Sequence, residues 1–258
     1  MQLFYCPDIT PAGYCTLDAE ESRHAVRVLR LRNGDEINVT DGRGALYRCQ
    51  IIDANEKACS LTPLVSPASL PSEPPLLKSE GEMDSSLTGK GAEVRLHLAV
   101  APTKNPSRME WLVEKAVEIG VGEITLLNCD HSERTFLKTD RLEKLAISAM
   151  KQSLHTLLPT INPATKLRDL LTTDHWPLAT QKLIAHCEAN KPRTPIANVL
   201  TPDVDTVVLI GPEGDFSDEE IAIALEHGFQ PVSLGPSRLR TETAALYAIT
   251  AFNLINDR

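Results

Sequence analysis

Long apolar runs are missing from the 258-residue sequence. No run approaches the roughly 18–20 residues that a helix needs to cross a bilayer. The N-terminal stretch Met1–Asp8 also lacks the basic start and apolar segment of a secretory signal. We therefore expect a soluble, cytoplasmic protein that has no membrane partner.

Clustered cysteines are missing as well. The six cysteines are spread along the chain without a C-x-x-C pair, and the histidines are not clustered. Zinc sites and disulfide frameworks need closer spacing, so we expect no metal. We interpret the thiols as buried or inert ones of a cytosolic protein; they are Cys6, Cys15, Cys49, Cys59, Cys129 and Cys187.

Positive charge is scarce, and the net charge of −9 argues at first against a nucleic-acid partner. Part of the excess comes from residues 65–93, where two lysines stand against five acids, a net of −3. Exposed charges separated by more than about 8–10 Å are largely screened from one another. A local basic patch elsewhere in the chain is therefore still compatible with RNA binding.

Residues 1–64 have the pattern of a small β-rich unit. Asp18 and Glu21 form a D-x-x-E capping pattern for a short helix that runs to Val28. Short strand patterns separated by turn signals follow and predict a compact barrel. They cover residues 36–40, 46–53 and 58–64. Residues 65–93 are rich in Pro, Ser and acids and predict a flexible linker or insertion.

Residues 94–258 alternate between strand and helix patterns, which predicts an α/β domain with a mostly parallel sheet. One helix begins at Asn105-Pro106 and stops at Gly120. Thr241 is predicted to cap the last helix, at residues 244–255. The other predicted helices cover 140–153 and 218–228, and the strands cover 94–100, 124–127, 183–186, 207–210 and 232–234.

Two glycine-containing loops follow predicted strands. One covers residues 209–217 and contains Gly211-Pro212-Glu213-Gly214, and the other covers residues 233–245 and contains Gly235-Pro236. In open α/β sheets, ligands bind at the carboxyl ends of the strands, where glycine lets the backbone approach them closely. Each loop alone could be an ordinary tight turn, but the pair in this order indicates a ligand site.

The sequence closely resembles, over nearly its whole length, the bacterial 16S ribosomal RNA uridine-N3 methyltransferases of the SPOUT superfamily. The two glycine loops match the cofactor site of that family. Residues 24–35 with Asp41-Gly42 resemble its PUA-like RNA-binding domain, and residues 104–121 resemble the first helix of its catalytic domain. The tripeptides Ser132-Glu133-Arg134 and Lys151-Gln152-Ser153 match in order.

This resemblance implies a fold, a cofactor and a reaction. The expected fold is a PUA-like β-barrel at 1–64, a linker at 65–93, and a knotted SPOUT-type α/β domain at 94–258. The expected reaction is S-adenosylmethionine-dependent methylation of N3 of a uridine in 16S ribosomal RNA, free or in the small ribosomal subunit, by a homodimer. The implied cofactor residues are His186, Ile210, Gly211, Pro212, Glu213, Gly214, Leu234, Gly235, Leu239 and Arg240.

Two residues of the second loop are candidates for catalysis. Arg240 could stabilise charge on a uracil carbonyl or orient a phosphate. Glu242 could orient Arg240 or accept a proton, although a glutamate there can also simply favour the helix dipole. The candidate RNA-binding residues are Arg23, His24, Arg27, Arg30, Arg32, Arg43 and Arg134. The alternative for the helical arginines is a solvated face paired with Glu20 and Glu21.

The sequence departs from the family at three places. Asp215 stands where many relatives have a third glycine, Leu154-His155-Thr156 follows Lys151-Gln152-Ser153, and the 65–93 segment is long. The alternatives are another SPOUT specificity, such as ribose 2′-O-methylation, and an inactive RNA-binding relative. A Rossmann-type methyltransferase is disfavoured, because no G-x-G-x-x-G follows a predicted strand.

Overall fold

A computed structural model describes residues 2–11, 13–64, 94–172, 176–188 and 191–256. The predicted linker at 65–93 lies outside these residues. The described residues divide into two compact units, and the segment Ile147–Leu158 belongs to the first unit, with the N-terminal sheet. The domain boundaries given above stay predictions.

The first unit is a curled five-stranded sheet with the strand order β1-β3-β4-β5-β2. Only the pair β1–β3 is parallel. Asp18 begins the first helix, because its carboxylate accepts the backbone N–H groups of Glu20 and Glu21. The elements are β1 (Leu3–Tyr5), β2 (Cys15–Thr16), α1 (Ala19–Arg23) continued by a π-helical turn (His24–Val28), β3 (Glu36–Thr40), β4 (Leu46–Asp53) and β5 (Ser60–Pro63).

The predicted strands of the first unit are confirmed, with β5 shorter than expected, whereas β1 and β2 are additional. Two or three residues are too few to show an alternating pattern. Four cysteines are buried in this core, and a fifth is buried in the second unit, but Cys187 is exposed. Cys187 is therefore not one of the buried thiols, and its inertness stays a prediction.

Hydrogen bonds and an ion pair connect Ile147–Leu158 to the rest of the first unit. Thr156 carbonyl oxygen accepts the hydroxyl of Thr40 at 3.0 Å, and the amide of Leu158 donates to Gly42 at 2.8 Å. Lys151 forms an ion pair with the buried Glu21. The lysine of the Lys151-Gln152-Ser153 tripeptide therefore pairs with a carboxylate of its own unit.

The second unit is a seven-stranded sheet, and all of its strand pairs are parallel. The strand order is β10-β12-β9-β11-β6-β7-β8. The strands are β6 (Leu96–Val100), β7 (Glu123–Asn128), β8 (Thr160–Lys166), β9 (Gln181–Ala185), β10 (Thr194–Pro195), β11 (Thr206–Ile210) and β12 (Gln230–Ser233). The helices are α2 (Pro106–Ile119), α3 (Thr139–Ser153), α4 (Leu167–Thr172), α5 (Asp218–Glu226) and α6 (Thr241–Ile255), with a 3-10 turn at Ile196–Asn198. The part of α3 from Ile147 onward belongs to the first unit.

Burial and capping explain the elements nearest the centre of this sheet. Every residue of β6 and β11 is buried, as expected for strands covered on both faces. Asn105 caps α2 by accepting the amide of Ser107, and Gly120 ends the helix in the left-handed conformation, at φ 100°. The predicted parallel α/β architecture is thus confirmed.

The predicted start of the last helix is wrong. The helix begins at Thr241, and Arg240 occupies the cap position without a side-chain capping bond. The Thr241 hydroxyl instead donates to the carbonyl of Gly211 at 3.1 Å, a partner far away in sequence. Three elements were also not predicted, namely β8, α4 and β10. The knot stays a prediction. Within the described residues, no helix is both long and apolar enough to cross a membrane.

Candidate functional site

A cavity of about 290 Å³ lies at the carboxyl ends of β9 and β11. Three neighbouring strands, in the order β12-β9-β11, deliver their following loops to this edge of the sheet. Both glycine loops identified in the sequence are among them. The lining residues are Ala185, Cys187, Ile210, Gly211, Pro212, Glu213, Asp215, Arg238, Leu239, Arg240, Thr241 and Ala244.

The cavity brings together a large part of the predicted cofactor set. The members that line it are Ile210, Gly211, Pro212, Glu213, Leu239 and Arg240. His186, Gly214, Leu234 and Gly235 are in the same loops but are not lining residues. Sequence reasoning missed the other six lining residues, although most of them lie within or beside the two glycine loops; they are Ala185, Cys187, Asp215, Arg238, Thr241 and Ala244.

The glycines of the first loop are closely packed. A Cβ atom on Gly211 would lie 3.1 Å from the ring of Phe216, and one on Gly214 would lie 3.0 Å from Cβ of His131. The second loop differs, because Gly235 has φ +101° and no atom lies within 4 Å of the Cβ position. The space that a side chain on Gly235 would occupy is therefore open.

Asp215 ties two of the loops together. Its backbone has φ +65°, a conformation in which aspartate is tolerated better than most residues. One carboxylate oxygen accepts the amide of Cys187 at 2.6 Å, and the other accepts the amide of Phe216 at 2.9 Å. The departure from glycine at this position therefore replaces backbone freedom with a link between the loops after β9 and β11.

His186 is a buried polar residue at the end of β9. Within the described residues, neither of its ring nitrogens has a hydrogen-bond partner. Burial lowers the pKa of its imidazole below the usual value. The ring is therefore neutral at pH 7.

A second, larger groove of about 610 Å³ adjoins the cavity. The segment from Arg238 to Arg240 lines both. Glu242 lies in the groove with its side chain only 9% exposed, and its Oε1 is 3.7 Å from Nε of Arg108. Arg108 of α2, and not Arg240, is therefore the charged partner of Glu242. The groove is lined by Ser107, Arg108, Trp111, Arg238, Leu239, Arg240, Glu242 and Thr243.

The predicted RNA-binding arginines of the first unit are exposed. Glu21 forms its ion pair with Lys151. It therefore does not form the surface ion pairs with arginine that the alternative interpretation expected. Four of these arginines form no side-chain ion pair with another described residue. They are Arg23, Arg27, Arg30 and Arg32. Their guanidinium groups are available to an external anion.

The remaining candidates have internal contacts. His24 is half-buried against the ring of Phe4. Arg43 donates to the carbonyl of Pro7 at 2.6 Å and lies 3.5 Å from Asp41.

Arg134 is in the second unit and does not line the cavity. It donates to the carbonyl of Lys104 at 3.2 Å, and the amide of Lys104 donates to Glu213 at 3.1 Å. The lysine ammonium also pairs with Glu133 at 2.8 Å. The loops after β6, β7 and β11 are linked by these contacts. In the part of the chain that the structure describes, no group of three or more metal-ligating side chains occurs.

The fold and the cavity define an α/β protein that takes a ligand at the carboxyl ends of its parallel strands. Comparison with known proteins identifies the family of this chain. A model of the RNA methyltransferase domain matches residues 90–253, and a model of the RNA methyltransferase PUA domain matches residues 17–64. The chain belongs to this RNA methyltransferase family. The fold and family expected from the sequence are confirmed.

Individual relatives are similar over nearly the whole chain. Ribosomal RNA small subunit methyltransferase E of Buchnera aphidicola is 29% identical over 245 residues, covering 90% of this chain and 85% of the relative. The structure of a probable rRNA-methyltransferase from Porphyromonas gingivalis is 39% identical with a TM-score of 0.82, covering 100% and 99%. That of the Neisseria gonorrhoeae methyltransferase E bound to S-adenosyl methionine is 26% identical with a TM-score of 0.75, covering 99% and 98%.

Proposed function

We propose that this protein transfers a methyl group from S-adenosylmethionine to N3 of a uridine in 16S ribosomal RNA, free or within the small ribosomal subunit. It acts as a homodimer in the cytoplasm, where its substrate is made. The observation that carries the proposal is the cavity at the strand ends, built by the two glycine loops in a chain of the RNA methyltransferase family. Similar proteins are named for the small-subunit ribosomal RNA.

The residues of the cavity fit the cofactor. Ile210 and Leu239 supply apolar walls, and the loop backbones supply oriented polar groups, as a small-molecule site requires. Gly235 leaves open space on its exposed side, where backbone and ligand can meet. When bound, S-adenosylmethionine supplies an electrophilic methyl group on a sulfonium. Its holders would be His186, Ile210, Gly211, Pro212, Glu213, Gly214, Leu234, Gly235, Leu239 and Arg240.

The chemistry of the substrate places two requirements on the other residues of the site. N3 lies on the Watson–Crick edge of uracil, so the base must be unpaired before it reacts. The N3–H group is a weak acid, so the enzyme must remove or delocalise its proton. Arg240 lines both the cavity and the groove and is placed to stabilise charge on the base or to hold a phosphate. Glu242 is the neighbouring carboxylate.

The exposed arginines of the first unit supply the RNA anchor. Four of them have no internal ion pair among the described residues, so phosphate contact costs no existing interaction. Phosphate neutralisation by arginine gives sequence-independent affinity that falls with salt. The set consists of Arg23, Arg27, Arg30 and Arg32, with His24, Arg43 and Arg134 as further contacts.

Analysis of the methylated nucleoside tests the proposal. Unmodified small-subunit ribosomal RNA is incubated with the protein and S-adenosylmethionine, digested to nucleosides and separated with mass detection. We expect 3-methyluridine. Recovery of 2′-O-methyl or C5-methyl uridine would assign another specificity, and absence of cofactor binding in calorimetry would identify an inactive RNA-binding relative. Unchanged turnover in Arg240→Ala would remove that residue from the mechanism.

A further inference from the structure

Glu242 is a buried acceptor without a full set of donors. Its Oε2 atom is enclosed, and within the described residues it has no hydrogen-bond partner. Burying a carboxylate oxygen without a hydrogen bond is costly. The residue lines the groove beside the cofactor cavity. Rotation of the carboxylate about its last side-chain bond would present this oxygen to a donor from a ligand in that groove.

Arginine donors line the same groove. Arg108 lies 3.7 Å from the other oxygen of Glu242, and Arg240 lies two residues before Glu242 in the chain. A guanidinium group donates hydrogen bonds and never accepts them. The groove therefore presents one buried acceptor together with donors from two arginines. Trp111 adds a partly exposed ring to its wall.

We infer that this groove binds the Watson–Crick edge of the target uracil, with Glu242 accepting N3–H and Arg108 and Arg240 donating to the carbonyl oxygens O2 and O4. This inference rests on the proposed function. The uracil edge has an acceptor, a donor and an acceptor in order. Cytosine has an acceptor at N3 and a donor at N4, so its N3 lone pair would face the carboxylate. These three side chains therefore select uracil over cytosine.

The same contacts carry the proton. The N3–H bond breaks, and its proton passes to Oε2 of Glu242. The negative charge left on the base spreads to O2 and O4, where the guanidinium groups stabilise it. The N3 electron pair then bonds to the methyl carbon, whose bond to sulfur breaks with its electrons left on the sulfur as a neutral thioether. Glu242 returns its proton to solvent.

A matched pair of glutamate variants tests the assignment by turnover. Both Glu242 and Glu219 are in the first turn of a helix, but Glu219 is exposed and lines neither groove nor cavity. With unmodified 16S ribosomal RNA as substrate, Glu242→Gln should lower kcat by about 100-fold or more, the contribution of a general base. Its calorimetric affinity for S-adenosylmethionine should match the wild type. Glu219→Gln should leave both unchanged.

The pH profile separates a proton acceptor from a merely structural glutamate. Without the carboxylate, the enzyme can methylate only uracil that has already lost its N3 proton to the solvent. The kcat of Glu242→Gln should therefore rise by about tenfold per pH unit and approach the wild-type value at high pH. Arg108→Lys should retain more activity than Arg108→Met, because it keeps a donor and the charge. Wild-type turnover of Glu242→Gln at every pH, or loss of its cofactor affinity, would overturn the inference.

A binding experiment is independent of turnover. The full chain, saturated with S-adenosylhomocysteine, is titrated with tetrauridylate and with tetracytidylate. The wild type should prefer uridine by about tenfold, as one well-placed pair of hydrogen bonds allows, and Glu242→Gln should lose the preference. Equal affinities in the wild type would refute the inference. A wild type that prefers uridine but methylates another atom, or nothing, would refute the proposed function instead.

Discussion

Two glycines of the second unit share a backbone conformation but differ in location. Gly228 has φ +82° and Gly235 has φ +101°, and neither has an atom within 4 Å of its Cβ position. Gly228 lies in the turn between α5 and β12, whereas Gly235 follows β12 beside the cofactor cavity. The pair therefore separates the effect of backbone strain from that of ligand contact.

Gly235→Val is expected to abolish calorimetric binding of S-adenosylmethionine. The branched side chain enters space that the cofactor needs, and the positive φ costs about 1–2 kcal/mol. Gly228→Val should lose similar stability in urea unfolding but keep wild-type affinity. Wild-type affinity in Gly235→Val would show that the site has been misplaced, and equal loss in both variants would assign the effect to strain.

His186 should make the stability of the cofactor-free protein depend on pH. Burial lowers the pKa of its imidazole in the folded state, so the unfolded chain binds the proton more readily. This contribution to stability is present above the unfolded pKa and is lost as the pH falls from about 6.5, the ordinary histidine value. Urea unfolding of the wild type and His186→Asn at pH 7.5 and 5.5 measures it.

The variant should lose less stability than the wild type over this interval. His131→Asn is the control, because His131 is exposed. An equal pH dependence in His186→Asn and the wild type would contradict the prediction.

Helix α5 shows how an element start is fixed both locally and by the fold. Ser217 and Glu220 form a reciprocal capping box. Glu220 does more than the local motif requires. Its carboxylate is buried and also accepts the amide of Asp130 at 2.9 Å, which connects α5 to the loop after β7.

Removing the Glu220 carboxylate should therefore cost more than removing the cap. Ser217→Ala is expected to lower the free energy of unfolding by about 1 kcal/mol. Glu220→Ala should lower it by about 3 kcal/mol, because the amides of Asp130 and Ser217 lose their acceptor. Glu219→Ala, on the exposed side of the same turn, should lose less than about 1 kcal/mol. Equal losses in urea unfolding of all three variants would contradict this order.

At the scale of the whole molecule, helix α6 has both a buried and an exposed apolar side. It packs on α2, β6 and β11, yet Tyr247 is 45% exposed and Leu254 is 75% exposed. These two residues are seven positions apart and so share one helix face. An exposed apolar face on the closing helix supports the proposed dimer, for which a two-fold arrangement is the commonest.

Light scattering should give a mass of about twice 28.3 kDa for the wild type. Leu254→Glu should shift the protein toward the monomer, because it would bury an unpaired charge at the interface. Leu225→Glu is the control, since Leu225 is 43% exposed but belongs to another helix, α5. A stable, active wild-type monomer would refute the dimer.

The sequence by itself determined the features that depend on near neighbours along the chain. Asn105, Pro106 and Gly120 mark both ends of α2, because capping involves groups within one helical turn. The two glycine loops likewise indicate the edge of the sheet at which the cavity lies, since a strand followed by glycine is a local pattern. These signals were enough for most of the strand and helix order and for half of the residues that line the cavity.

Only the tertiary structure decided which distant residues meet. Glu242 faces Arg108, Asp215 accepts the amide of Cys187, and the hydroxyl of Thr241 donates to the carbonyl of Gly211. Each contact depends on the strand order of the sheet, which places chain segments side by side that are far apart in sequence. Periodicity and composition carry no record of that order, so the pairing of charges in the groove could be established only from the folded chain.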